Sequence, residues 1–158
     1  MKFYLLVLTA LLVAASCSEN KVEANDSAQI DTYLDQVKYV LQEVRSIEKE
    51  IALAVPADSV TADVIAPLVE QRFRPKLADL SKQADALKPN HPDLQPSHQL
   101  LKDYLRLRLE GFDLIIEGAR LRDQALFDQF AQRLSEAEEV GHSLELAIDR
   151  IRQNMGQP

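Results

Sequence analysis

Histidines and carboxylates are the side chains of this sequence that could hold a metal ion. Glu139 and His142 form a single E-x-x-H, an element that di-iron bundles use twice, with two further inward glutamates. On a helical wheel Glu139 points away from the apolar side of its helix. His91 and His98 flank a proline-rich stretch with Asp93 between them, where they could bind a surface zinc ion. Solvated loop histidines are far commoner, so the sequence predicts no metal site.

Other chemistry is disfavoured by the motifs that the sequence lacks. It contains no C-x-x-C-H for covalent haem, no G-x-S-x-G around a serine nucleophile and no glycine-rich phosphate loop. The formal net charge of -7 would repel nucleic acid. We therefore predict a non-enzymatic protein with no catalytic residues, no cofactor and no nucleic-acid partner.

The spacing of the apolar residues indicates the helices that would position these side chains. The longest element covers residues 123–154, where apolar residues recur at steps of three and four, the period of a helix. These residues are Phe127, Phe130, Leu134, Ala137, Gly141, Leu144, Ile148 and Ile151. Such a helix reaches about 45 Å, so partner helices of similar length must cover its apolar stripe.

Three further segments can supply those partners. A heptad rhythm predicts a helix over residues 28–54. A turn or helical lead-in at 60–66 precedes a second helix at 67–87, which we expect to be kinked near Pro75 because its stripe stays in phase across the proline. A loop at 88–93 leads to a third helix at 95–121. The prediction is an all-α protein, an antiparallel up-down-up-down four-helix bundle over residues 28–155.

The end of the third helix has two interpretations. Asp123 is a suitable N-cap for the last helix, which leaves a tight turn at residues 121–124. Alternatively, Gly118 ends the third helix in a left-handed conformation. Gly111, Gly118 and Gly141 lie on apolar seams, where they indicate either close helix approach or a small internal cavity for an apolar ligand.

The third helix is apolar over a wider arc than a surface helix needs. Leu105, Leu109, Phe112 and Ile116 cover the additional sector. Either this helix is more enclosed than the others, or these four residues form an interaction face.

Arg108 projects into the same apolar arc, where an unpaired guanidinium would be costly. It either extends its charge to solvent or forms a buried ion pair with an acid flanking the last helix. Glu138 and Glu145 are the candidates, and we predict the pairing.

The first residues have the composition of a secretory signal peptide. Lys2 precedes an apolar run of about 13 residues, too short to cross a bilayer as a helix. The run ends in V-A-A-S-C at residues 13–17, with the only cysteine last. Here the chain resembles bacterial lipoproteins. The resemblance implies removal of residues 1–16 and a lipid on Cys17, whereas the alternative is ordinary cleavage after residue 15 or 16.

The lipoprotein resemblance also implies a location. Ser18 after the cysteine, in place of an aspartate, favours outer-membrane sorting, so we expect the cell envelope and the periplasmic face of the outer membrane. Residues 17–27 are mostly polar and are expected to form a lipid-anchored tether. Acylation would also remove a free thiol that has no disulfide partner within the chain.

Two functions follow from these expectations. The first is a membrane-anchored protein that acts through contacts with a protein partner or a second copy, as an adaptor, envelope component or inhibitor. The alternative is a periplasmic carrier or sensor that binds a small apolar or metal ligand inside the bundle.

Overall fold

The computed structural model describes residues 5–54 and 61–155, with side chains described from residue 27 onward except at residue 62. All regular structure in these ranges is helical, which confirms the all-α class. The helices are α1 (Leu5–Ala54), α2 (Ala62–Leu68), α3 (Arg74–Ala86), α4 (Gln95–Leu121) and α5 (Gln124–Met155). A π-helical turn, Val69–Phe73, joins α2 to α3, and a 3-10 helix, Pro92–Leu94, precedes α4.

Helix α1 begins earlier than predicted. It starts at Leu5 instead of near residue 28, because no glycine or proline interrupts the sequence before residue 54. Its described side chains bury one face at the predicted heptad spacing. The buried residues are Ile30, Tyr33, Leu34, Val37, Val40, Val44 and Ile47. Cleavage at Cys17 and the tether at residues 17–27 stay predictions.

The second predicted helix contains a π-helical turn directly before Pro75. The Arg74 N–H donates to the carbonyl of Val69, five residues earlier. A proline ring crowds the carbonyl four residues before it and has no N–H to donate. The wider turn accommodates this ring, so the helical run continues from α2 into α3 without a break.

Helix α4 ends where the Asp123 interpretation places it. Arg122 follows Leu121 in the left-handed conformation, with φ 54° and ψ 42°. The Asp123 N–H then donates to the carbonyl of Gly118 over 3.1 Å. The alternative end at Gly118 is therefore wrong, since that glycine stays helical.

Asp123 caps α5, as predicted. Its Oδ1 accepts a hydrogen bond of 2.9 Å from the Ala125 N–H. The apolar stripe of α5 is buried mainly in its second half. Ala137, Leu144, Ile148 and Ile151 are buried, whereas Phe127, Phe130 and Leu134 are half-buried.

Helices α4 and α5 form the most extensive contact between two helices, and glycines allow it. A Cβ atom on Gly118 would lie 3.0 Å from Phe127 Cε1 and 3.2 Å from Leu126 Cβ. A Cβ on Gly141 would lie 3.1 Å from the Tyr104 ring. Close helix approach therefore accounts for these two glycines.

Gly111 has more room. A Cβ there would lie 3.5 Å from the nearest atom of Phe130, an ordinary van der Waals distance. We predict that Gly118→Leu lowers the free energy of unfolding by about 1–3 kcal/mol through overpacking. Gly111→Ala should leave it unchanged or raise it by up to about 1 kcal/mol, the difference in helix propensity. Urea unfolding followed by circular dichroism measures both, and equal losses in the two variants would contradict this prediction.

Ion pairs link neighbouring helices along their exposed edges. Arg74 of α3 binds Asp113 of α4 through Nε at 2.5 Å, and this carboxylate raises the pKa of Arg74. Lys102 of α4 lies 2.9 Å from Asp85 of α3. Exposed pairs of this kind stabilise a protein by about 1 kcal/mol at most. These ion pairs therefore help to align the helices but add little to the stability of the fold.

Candidate functional site

Arg108 of α4 pairs with Glu48 of α1. Its Nη2 lies 2.7 Å from Glu48 Oε1, with the two side chains 14% and 40% exposed. The predicted partners were wrong: Glu138 is exposed on α5, and Glu145 pairs with Arg45 of α1. An arginine on the apolar arc of α4 was expected to face α5, but this position faces α1.

The pair is held in place but incompletely satisfied. The guanidinium lies over the Tyr104 ring, 5.3 Å from its centroid, and this cation–π contact fixes its orientation. Among the described residues, neither Arg108 Nε nor Glu48 Oε1 has a partner in hydrogen-bonding geometry, although Nη2 is close to Oε1. An arginine donor left without a partner costs about 1–3 kcal/mol, whereas Glu48 Oε1 keeps the charge attraction of Arg108 Nη2 at 2.7 Å.

A cavity of about 230 Å³ lies beside this ion pair. Among the residues that the structure describes, its lining consists of apolar side chains and one glycine, except for Glu48 and Arg108. The helices and the π turn all contribute, for example Val44, Ile65, Val69, Leu77, Gly111 and Phe130. Protein interiors are normally close-packed, and voids larger than a water molecule are few. An apolar space of this size can accept a small molecule.

The four residues of the candidate interaction face lie largely in the core. Leu105 is fully buried and Ile116 is 9% exposed, while Leu109 and Phe112 are half-buried and packed against the core. The wide apolar arc of α4 therefore reflects enclosure by its neighbours, because α2, α3 and α5 all contact this helix. The prediction that these four residues form an exposed interaction face is therefore wrong, because Leu105 and Ile116 are buried.

A second group of buried polar atoms lies where α1 meets the start of α4. The Tyr33 and His98 rings lie 6.1 Å apart, and neither Tyr33 Oη nor His98 Nδ1 has a hydrogen-bond partner among the described residues. Burial raises the pKa of Tyr33 to about 12, and the neighbouring Ser97 hydroxyl opposes the shift. Burial and the charge of Lys102 lower the pKa of His98. The fold therefore favours neutral forms of both rings.

The lowered pKa of His98 predicts that the folded protein loses stability as the pH falls below neutrality. Above its ordinary pKa of 6.5, His98 is neutral in both states and contributes nothing. Below 6.5 the unfolded chain takes up a proton that the folded protein resists, so the free energy of unfolding falls as the pH falls. We expect His98→Gln to lose less stability than the parent between pH 7.5 and 5.5 in urea titrations.

The control for this measurement is His142→Gln on the exposed side of α5. It removes an imidazole but keeps His98, so it should retain the acid-side loss of the parent. The same pH dependence in His98→Gln and the parent would contradict the assignment.

The side chains considered for metal binding lie apart or on the surface. His91 Nδ1 accepts a 3.3 Å hydrogen bond from the Asp93 N–H, which caps the 3-10 helix instead of facing a metal. Glu139 and His142 are both exposed. Among the residues whose side chains are described, no group of three or more metal-ligating side chains is close enough to hold an ion.

The lipid-anchor residue Cys17 lies outside the residues whose side chains are described. In the described part of the chain, no helix is both long enough and apolar enough to cross a membrane.

Sequence reasoning missed Glu48 and Tyr33, whereas a cavity was one of the two interpretations of the glycines. Glu48 is one of many carboxylates on α1, and only its position beside Ile47 and Ile51 at the edge of the apolar stripe distinguished it. Gly111 was the available signal for the cavity, because a glycine on a core seam leaves volume unfilled.

Comparison with known proteins adds no assignment to this geometry. No protein family model, no curated protein and no solved structure matches the chain.

Proposed function

We propose that this protein binds a small, mainly apolar molecule inside its helical body, as a carrier or sensor held at a membrane by a lipid on Cys17. The cavity of about 230 Å³ beside Arg108 and Glu48 is the observation that carries the proposal. It is lined by residues from all five α-helices and from the π turn, so a ligand there would contact each of them.

The cavity volume limits the size of the ligand. An apolar cavity of about 150 Å³ stays dry and binds benzene. At the packing density of protein interiors, the larger volume here suits about ten non-hydrogen atoms. Drug-sized ligands occupy pockets of about 300–1,000 Å³, so the ligand is closer in size to a single substituted ring.

The arrangement of the helices supports a ligand site between them. We propose the antiparallel up-down-up-down bundle predicted from the sequence, with α2, the π turn and α3 as its second member. The ion pairs support antiparallel α3 and α4, since early Arg74 meets late Asp113 and late Asp85 meets early Lys102. Contacts of Gly118 with Phe127 and of Gly141 with Tyr104 support the same for α4 and α5.

The kink near Pro75 is part of this proposal. The π turn before that proline includes Val69, which lines the cavity, and Phe73, which is fully buried. A change of helix direction here would open space between α3 and its neighbours. The proline would then help to shape the cavity.

Location at the cell envelope rests on the N-terminal sequence. The signal-like residues 1–16 and the cysteine that follows them support lipidation and placement on the periplasmic face of the outer membrane. Metabolic labelling with a fatty acid tests the anchor, and labelling that survives Cys17→Ala would contradict it.

Contact with another protein, or self-association, is the second candidate function. It is favoured by large apolar side chains on the surface: Leu53 is 75% exposed, Leu121 60% and Val64 44%. Light scattering of the purified chain tests self-association. A monomer that captures no protein from its host would weaken this candidate.

Toluene is a suitable probe for the ligand-binding proposal because it has no polar group. Equilibrium dialysis of the full chain, with the same detergent on both sides, should show saturable binding above that of protein-free micelles. Gly111→Leu should reduce the binding by filling the cavity beside Phe130.

The matched second variant is Ile115→Phe, which adds volume at another lining position in case Gly111→Leu does not fold. Circular dichroism checks the fold of both variants. If the parent takes up no more toluene than micelles alone, the proposal is wrong. It is also wrong if Gly111→Leu and Ile115→Phe fold and bind toluene as well as the parent does.

A further inference from the structure

Helix α1 is attached to the rest of the fold along one face, and open grooves border it on both flanks. One groove lies between the start of α1 and the end of α3, lined for example by Gln36 and Leu87. Another lies between α1 and α5, lined for example by Gln42 and Ile148. The attachment of the start of α1 therefore depends on the buried face that begins at Ile30.

Under this face, the ring of His98 on α4 lies against the ring of Tyr33 on α1, with 6.1 Å between the centroids. Tyr33 is 4% exposed, and both Tyr33 Oη and His98 Nδ1 are enclosed without a hydrogen-bond partner among the described residues. Enclosing a neutral polar group costs far less than enclosing a charge. The contact between α1 and α4 therefore accommodates neutral His98 better than an imidazolium.

The charged groups that face His98 do not offset this cost. Lys102 on its own helix repels an imidazolium, and Asp85 on α3 attracts it. Lys102 Nζ already lies 2.9 Å from Asp85 Oδ1, so the carboxylate is largely neutralised. Tyr33, the titratable group from α1, stays an uncharged phenol because burial raises its pKa to about 12. Burial and the charge of Lys102 therefore lower the pKa of His98.

We propose that protonation of His98 opens the contact between the start of α1 and α4, so that this end of α1 separates while the rest of the fold stays intact. Separation removes the enclosing ring of Tyr33 and lets water reach Nδ1. It also uncovers Ile30 and Leu34, which are 7% and 2% exposed in the closed form. Protons bind the open form more tightly, so acid shifts the equilibrium towards it. This response is independent of ligand binding in the cavity.

Hydrogen exchange followed by mass spectrometry of the full chain, in matched detergent at pH 7.5 and 5.5, tests the proposal. Above the ordinary pKa of 6.5, His98 is neutral in both forms, so opening does not depend on pH. At pH 5.5 the open fraction should increase by up to about tenfold. A helix released from its packing partners is marginal in water. The amides of residues 28–37 should therefore lose up to about tenfold in protection, after correction for the intrinsic effect of pH on exchange.

Variants assign the response to His98. His98→Gln should remove it, whereas His142→Gln on the exposed side of α5 should keep it. Lys102→Gln is the second variant in case His98→Gln does not fold. It frees Asp85 to attract the imidazolium, so its acid response should be smaller than that of the parent. The same acid response at residues 28–37 in the parent and in the folded variants of His98 and Lys102 would overturn the proposal.

Low concentrations of urea distinguish local opening from global unfolding, because local opening exposes little surface. An acid response at residues 28–37 that depends weakly on urea and disappears in His98→Gln supports the proposal. If residues 28–37 and the middle of α5 show equal protection and the same steep dependence on urea at pH 5.5, His98 acts only on global stability. That result would also overturn the proposal.

Discussion

Replacing Phe73 with alanine is expected to lower the free energy of unfolding by about 3–5 kcal/mol, the usual cost of removing a buried aromatic side chain. Phe73 has no exposed surface and lies in the π-helical turn between α2 and α3. Its removal leaves a cavity at the point where the helical run from α2 to α3 changes its hydrogen bonding. Urea unfolding followed at 222 nm measures the loss.

Leu53→Ala is the control for Phe73→Ala. Leu53 is also apolar but 75% exposed, so its replacement should change the free energy of unfolding by less than about 0.5 kcal/mol. A loss below about 1 kcal/mol for Phe73→Ala would mean that the π turn does not pack as described.

Leu105→Ala should cost about 2–5 kcal/mol, although Leu105 was first considered for an interaction face. The residue is fully buried, so truncation opens a cavity in the core and removes no accessible contact surface. The thermal midpoint should fall, while the molar mass from light scattering should stay that of the parent.

Leu121→Ala on the same helix is the control, because Leu121 is 60% exposed and its loss creates no cavity. It should leave the melting temperature nearly unchanged. If Leu105→Ala kept the stability of the parent but changed its association state, Leu105 would belong to an interface after all.

The cavity beside Arg108 and Glu48 links stability to ligand binding. A ligand that binds only the folded chain raises its stability by mass action, by about 2.7 kcal/mol at a concentration 100 times the dissociation constant. Toluene should therefore raise the melting temperature of the parent in proportion to its affinity, and raise that of Gly111→Leu less.

Local patterns in the sequence determined the class of the fold and most helix boundaries. Apolar residues at steps of three and four predicted α4 and α5 to within a few residues, because burial of one face of a helix requires that period. Asp123 identified the start of α5, since its side chain caps the N–H groups of the first turn. These signals depend on neighbours in the chain and can be read without knowing the fold.

Tertiary structure decided what each helix face meets. The sequence placed Arg108 on the apolar arc of α4, but only the packing of α1 against that arc made Glu48 its partner. The same packing buried Leu105 and left a cavity beside Gly111. A helical pattern specifies which residues share a face, whereas the rotation and spacing of neighbouring helices determine which groups meet across it and where space is left unfilled.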